Sequence, residues 1–323
     1  MGRTGTLPGM RGLLVVNPKA TTTSARTRDV LADALRSRMD LTMGYTRRRG
    51  HGFDLARDAA TAGMDVVVAL GGDGTVNEVV NGLMAAERGE QTPALAVVPG
   101  GSTNVFVRAL GLPRTPVDAT AVILHALREG RHRRVGLGRA DDRYFTFCAG
   151  IGLDAAVVRR VEQARRKGRR STPGLYLRST LGQYFFDPGR RRPGLTLAEP
   201  GEESEAGLAN VIVQNTAPWT YLGERPIHAS ARASFDTGLD VLALRGLHLP
   251  STLHTVTQML SRQPDDPAER SDMDGDKVMI RHDLAEFEVR CDTPQAFQLD
   301  GDYLGEREKV KFTSVPGALR VIC

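Results

Sequence analysis

Asp65–Leu70 (DVVVAL) is a short apolar run stopped at once by glycine, and the chain continues Gly71-Gly72-Asp73-Gly74-Thr75-Val76-Asn77-Glu78 into a helical pattern. An unbroken apolar run of this length reads as a strand buried on both faces. Strand, glycine turn and helix in succession are the repeating unit of a parallel sheet. The same grammar recurs on either side. Arg11–Asn17 is a strand ending at Asn-Pro, where the residue before proline is pushed to an extended conformation. Ala94–Val98 is a strand ending in Pro99-Gly100-Gly101, and Asp40–Tyr45 is a further strand. Helical periodicity covers Ser24–Met39, Gly52–Ala62, Val76–Arg88, Asn104–Leu110 and Pro116–Glu129. Residues 11–134 are therefore expected to form a doubly wound, mostly parallel sheet covered by helices on both faces.

From about Val135 the pattern changes. Strand-like runs at 134–137, 144–150, 208–215, 238–244, 277–280, 286–291, 295–299 and 310–312 are separated by turn residues, which predicts an antiparallel β-rich second domain over 135–306. Helical patterns interrupt it at 154–168 and 251–262, and 199–205 and 263–276 read as polar loops. Residues 1–10 are Gly-rich and polar and are expected to be disordered. They lack the apolar core of a signal peptide, although Gly2 and Thr6 match a loose myristoylation pattern. No apolar run approaches the ~20 residues needed to span a bilayer.

A chain of 323 residues is long enough for two cores. Lys plus Arg exceed Asp plus Glu by 43 − 38 = 5, which suits an anionic partner without specifying nucleic acid. Cys148, Cys291 and Cys323 are an odd number without CxxC spacing. A disulfide framework or zinc site is thereby disfavoured, and a reducing cytoplasm fits.

Three small, polar loops end predicted parallel strands: Asn17-Pro18-Lys19-Ala20-Thr21, Gly71–Thr75, and Pro99-Gly100-Gly101-Ser102-Thr103-Asn104. Ligands of open α/β sheets bind at the carboxyl ends of the strands. Glycines let the backbone approach a polyphosphate, and the following helix presents a positive end to it. Asp73 can hold Mg2+ through water or accept a nucleotide hydroxyl. A bland reading stands beside this one, in which Gly71–Gly74 is a strand-to-helix turn capped by Thr75. Neither a Walker P-loop nor a Rossmann G-x-G-x-x-G after the first strand is present.

The segments VVNPKAT, GGDGTVNEVVNG, VVPGGSTNVFVRALGLP, FCAGIGLDAAVV, FDTGLDVLAL and QLDGDYLGE, in this order from residue 15 to residue 306, resemble the diacylglycerol kinase catalytic family, which includes sphingosine kinases and bacterial soluble lipid kinases. The resemblance implies ATP as phosphoryl donor, Mg2+ as cofactor and a lipid hydroxyl as acceptor. It places nucleotide contacts at Asn17 and the loop after it (Pro18, Lys19, Thr21), Thr46, Gly71, Gly72, Asp73, Gly74, Thr75, Asn77, Glu78, Gly101, Ser102 and Asn104. It implies a general base at Asp302, where members usually carry Glu, and a headgroup-orienting acid at Asp154. A structural Mg2+ of bacterial members maps to the segment holding Asp236 and Asp240, although the usual carboxylate position is Thr237 here. Val105 is a second departure, standing where many members have Asp. Residues 307–323 are expected to return to the first domain.

The implied activity is transfer of the γ-phosphate of ATP to a membrane lipid, diacylglycerol by default, with sphingoid-base or ceramide-like lipids as the alternative. An NAD kinase-like enzyme and a non-catalytic nucleotide or lipid binder are the competing readings. Expected partners are the lipid substrate and an anionic membrane surface, not nucleic acid, with a homodimer left open. The expected location is cytoplasmic, peripheral to the membrane. The basic run Arg159–Arg170 and the apolar residues from Leu175 to Phe186 suit an anionic leaflet and equally a solvated helix and core packing.

Overall fold

The computed structural model describes residues 9–18, 24–152, 155–156, 159, 194–246 and 277–323. The chain divides into two compact units, Met1–Val135 with Gly317–Cys323, and Gly136–Pro316.

The first unit alternates strand and helix: β1 (Arg11–Val16), α1 (Ala25–Arg36), β2 (Asp40–Tyr45), α2 (His51–Thr61), β3 (Val66–Gly71), α3 (Asp73–Ala85), β4 (Ala94–Pro99), α4 (Val105–Ala109) and α5 (Pro116–Glu129). The helix signals are local. The Ser24 side chain accepts from Thr27 N at the start of α1. Thr115 does the same for α5, which has Pro116 in its first turn and ends at Gly130 in the left-handed region. The strands lie in the order β4-β3-β1-β2, all parallel. Leu14, Val16, Val66, Val68 and Leu70 share one core with Leu31 and Leu35 of α1 and Ile123 and Leu127 of α5. The alternate residues Leu13, Val15, Val67 and Ala69 are buried too, while α2 packs on β1 and α3 on β3. Both faces of the sheet are covered, as the continuous apolar runs require. Val16 is level with Tyr45 on one side and Leu70 on the other, and Gly71 is level with Pro99. The loops that follow all four strands thus leave from one edge.

The second unit is built from β5 (Arg133–Ala140), β6 (Arg143–Phe145), β7 (Cys148–Gly152), β8 (Leu195–Ala198), β9 (Glu205–Leu208), β10 (Asn210–Gln214), β11 (Thr220–Leu222), β12 (Arg225–Ile227), β13 (Leu239–Leu244), β14 (Val278–Leu284), β15 (Glu286–Leu299) and β16 (Asp302–Val321). Antiparallel pairing runs β14-β13-β10-β7-β15-β16. Phe287 pairs across strands with Phe312, their rings stacked at 5.0 Å, and Phe145 meets Phe312 edge-on. The tail of β16 leaves this unit, and its Val321 pairs in parallel with Leu95 of β4 in the first unit's sheet.

Several boundaries differ from expectation. α3 starts at Asp73 rather than Val76, because Gly72 is its N-cap. The two strands expected at 286–291 and 295–299 are one, with its ladder shifted between Arg290 and Gln295 around Pro294. Proline breaks the pattern there without ending the strand. β16 was expected only at 310–312. The rest of it is mostly half-exposed, so no apolar run marks it. β8, β9, β11 and β12 were not expected as strands. The helix expected at 251–262 and all but residues 155, 156 and 159 of the one at 154–168 lie outside the described residues. Among the described residues no helix is long and apolar enough to cross a membrane.

Candidate active site

The strand-end loops of the first unit meet. Asn17 N donates to Leu70 O at 3.1 Å, and Asn17 Nδ2 donates to Thr75 Oγ1 at 3.1 Å, so the loop after β1 is tied to the start of α3. Thr46 N donates to Val16 O at 2.9 Å, and Gly100 N to Gly71 O at 2.8 Å. The loops after β3 and β4 touch through glycine. A Cβ on Gly72 would lie 3.1 Å from Gly101 Cα, and one on Gly101 would lie 2.7 Å from Gly72 Cα. Among the described residues no side chain caps α3 at Gly72, which leaves the positive end of that helix for an anionic ligand.

Two carboxylates expected at the ligand also build the scaffold. Asp73 accepts from Val105 N (3.1 Å) and Phe106 N (3.2 Å). It thereby caps α4, whose own N-cap, Asn104, is left-handed and turns its side chain back onto Gly101 N and O. Val105, where the resemblance looks for a carboxylate, is itself buried, and its amide is what Asp73 holds. Glu78 accepts from Gly50 N (2.7 Å) and Gly52 N (2.9 Å), capping α2 in the same manner. Asn77 is 1% exposed, and its backbone and side-chain oxygens accept from Asn81 Nδ2. Thr75 and Asn104 are buried as well, whereas Pro18, Gly72, Asp73, Gly74 and Ser102 reach the surface to some degree. Lys19, Thr21 and Asp154 lie outside the described residues, as do the basic run beyond Arg159 and the apolar residues 175–186.

The glycine contact sets an expected result. Gly101→Ala will force the loops after β3 and β4 apart, costing about 1–3 kcal/mol of stability and weakening the binding of an anionic ligand such as inorganic tripolyphosphate at least tenfold. Calorimetric titration and urea unfolding measure both effects.

In the second unit, β15 and β16 are joined by the two-residue turn Asp300-Gly301, both with positive φ, +48° and +80°. This is the backbone of a type I′ hairpin, for which Asp-Gly is well suited. Leu299 pairs with Asp302 at its mouth, and Asp302 is partly exposed. Asp300 is 4% exposed. Its Oδ2 accepts from Thr146 N (2.7 Å) and Thr146 Oγ1 (2.9 Å), and its Oδ1 from Phe147 N (3.0 Å) and Cys148 N (3.2 Å). This anchoring role was not read from the sequence. The only local signal is the Asp-Gly pair, since every partner is distant in the chain.

The carboxylates expected to share a metal differ in their surroundings. Asp240 is buried, its Oδ2 taken by Ser230 Oγ (2.6 Å) and His282 Nδ1 (2.9 Å) and its Oδ1 by Asp283 N (3.0 Å). Asp236 is exposed. Among the described residues no three His, Cys, Asp or Glu side chains cluster as a metal site. All three cysteines are free thiols, and burial pushes the Cys291 thiol up to about 11.

Residues 11–140 match the diacylglycerol kinase catalytic domain. The chain is 37% identical over 175 residues to a "Probable lipid kinase YegS-like" of Chromohalobacter salexigens, a match covering 52% of this chain and 55% of that protein. It is 41% identical over 97 residues to a diacylglycerol kinase of Bacillus subtilis, covering 30% of each. The chain thus spans about half or less of the length of these curated relatives. A crystal structure of a diacylglycerol kinase from Bacillus anthracis superposes with a TM-score of 0.70 at 20% identity, covering 97% of this chain and 96% of the other. At that identity the likeness establishes the fold.

Proposed function

We propose, from the match of residues 11–140 to the diacylglycerol kinase catalytic domain, that the chain is an ATP-dependent lipid kinase that phosphorylates the hydroxyl of a membrane lipid, diacylglycerol first among them. One observation carries the reading: three strand-end loops, at Asn17, Gly71–Thr75 and Gly100–Asn104, are locked together at one edge of a parallel sheet. Glycine at both Gly72 and Gly101 supports close backbone approach to phosphate oxygens, and the start of α3, which no side chain among the described residues caps at Gly72, supplies a positive end. Phosphoryl transfer asks little more of a protein than such positioning and charge stabilisation, with a base for the attacking hydroxyl.

Asp302 takes the proton of the lipid hydroxyl as its oxygen attacks the γ-phosphorus, and ADP departs as the bond to the bridging oxygen breaks. Mg2+ would arrive on the nucleotide's phosphates, with Asp73 the described carboxylate beside them, and would supply charge neutralisation. Thr46, Ser102 and the Asn17 loop would complete the nucleotide's surroundings. The lipid hydroxyl lies in the headgroup layer, so the enzyme works as a cytoplasmic protein docked on an anionic leaflet.

The test is transfer of labelled γ-phosphate from ATP, with Mg2+, to vesicles made from a mixed lipid extract. Label in phosphatidic acid is the expected result. Label in a sphingoid or ceramide-like lipid would change the acceptor and keep the class. Label in soluble NAD+ alone, or none, would overturn the reading.

A further inference from the structure

We infer that Tyr45 forms the wall against which the base of the bound nucleotide stacks, an inference that rests on the nucleotide reading above. Tyr45 is the last residue of β2 and is 40% exposed. This exposed ring stands on the ligand edge of the sheet. It is level with Val16, whose neighbour Asn17 holds Thr75, and it directly precedes Thr46. The Arg28 guanidinium of α1 lies over the ring, 5.5 Å from its centroid, and is itself held by Asp29 at 2.7 Å. A cation paired with a neighbouring carboxylate thus lies against the ring.

The order β4-β3-β1-β2 decides on which side the base falls. Towards β4 the loops close on each other at Gly72 and Gly101, with no room for even a Cβ between them. Towards β2 the strand end carries Tyr45 and then Thr46, whose N donates to Val16 O. With neighbouring strands about 4.8 Å apart, Tyr45 stands two strands, roughly 10 Å, from the glycines of β3. A nucleotide whose phosphates sit on Gly72–Gly74 spans a comparable distance from phosphate through ribose to base. Aromatic stacking favours a flat base over none and does not by itself separate adenine from guanine.

The test compares ATP with inorganic tripolyphosphate, which carries the phosphates and lacks the base, by calorimetric titration of the full chain. Wild type is expected to bind ATP more tightly than tripolyphosphate. Tyr45→Ala is expected to weaken ATP roughly 5- to 100-fold and to leave tripolyphosphate unchanged, with the loss appearing in KM for ATP rather than kcat. Tyr45→Phe keeps the ring and should keep the affinity. If Tyr45→Ala binds ATP as wild type does while phosphate transfer persists, the wall is refuted and the kinase reading stands. If wild type binds neither compound, the nucleotide reading falls and Tyr45 falls with it.

Discussion

Asp300→Ala will destabilise the protein by roughly 3–5 kcal/mol, a large share of the ~5–15 kcal/mol typical of a domain. Four donors lose their acceptor at once: Thr146 N, Thr146 Oγ1, Phe147 N and Cys148 N. Each buried donor left unsatisfied costs about 1–3 kcal/mol, and water entering the site recovers only part of this. Alanine must also hold φ of +48°, which adds about 1 kcal/mol. Asp300→Asn separates the two causes. Asparagine tolerates the left-handed backbone and keeps one acceptor oxygen, so its cost should be near half. Urea unfolding with an unchanged m-value measures both variants. A loss below about 1 kcal/mol in the alanine variant would mean that the four hydrogen bonds do not hold this turn.

Asp302→Asn is expected to slow phosphate transfer to lipid about 10²–10⁴-fold, the usual contribution of a positioned general base. Asparagine preserves size and removes the proton acceptor. Asp302 belongs to the second unit, whereas Asn17, Gly72–Thr75 and Gly101 belong to the first. Affinity for ATP should therefore stay within twofold. Asp302→Glu, the residue the resemblance leads one to expect, should recover much of the rate. Transfer by the asparagine variant at the wild-type rate would remove Asp302 from the mechanism.

How much of this was readable depends on the distance over which each feature is encoded. β1, β3, β4 and the helices of the first unit announce themselves in contiguous residues. So do the three glycine- and asparagine-bearing loops, because a parallel sheet sends successive strand ends to one edge. The work of the carboxylates is written non-locally. Asp73 caps a helix 32 residues on, Glu78 one 28 residues back, and Asp300 holds a segment 154 residues earlier. Nothing beside these residues in the chain names their partners. In the same way, nothing beside Glu78 in the motif tells that it also secures α2, or beside Asn77 that its oxygens also hold Asn81. In the second unit, β15 hides behind Pro294 and β16 behind its half-exposed pattern, since an edge-facing or bulged strand lacks the apolar run that marks a central one.

The twenty residues of β16 begin in one unit and end in the other, and this orders events on the ribosome. Residues 11–135 emerge first, but the place beside Leu95 is filled by Val321, and Ile322 completes the core beneath. At about 5–20 residues per second, the nascent first half waits roughly 10–40 s for its closing strand. A transcript cut short before Gly317 would therefore leave the earliest-made portion with a bare β4 edge, exposed to chaperones and to its own copies.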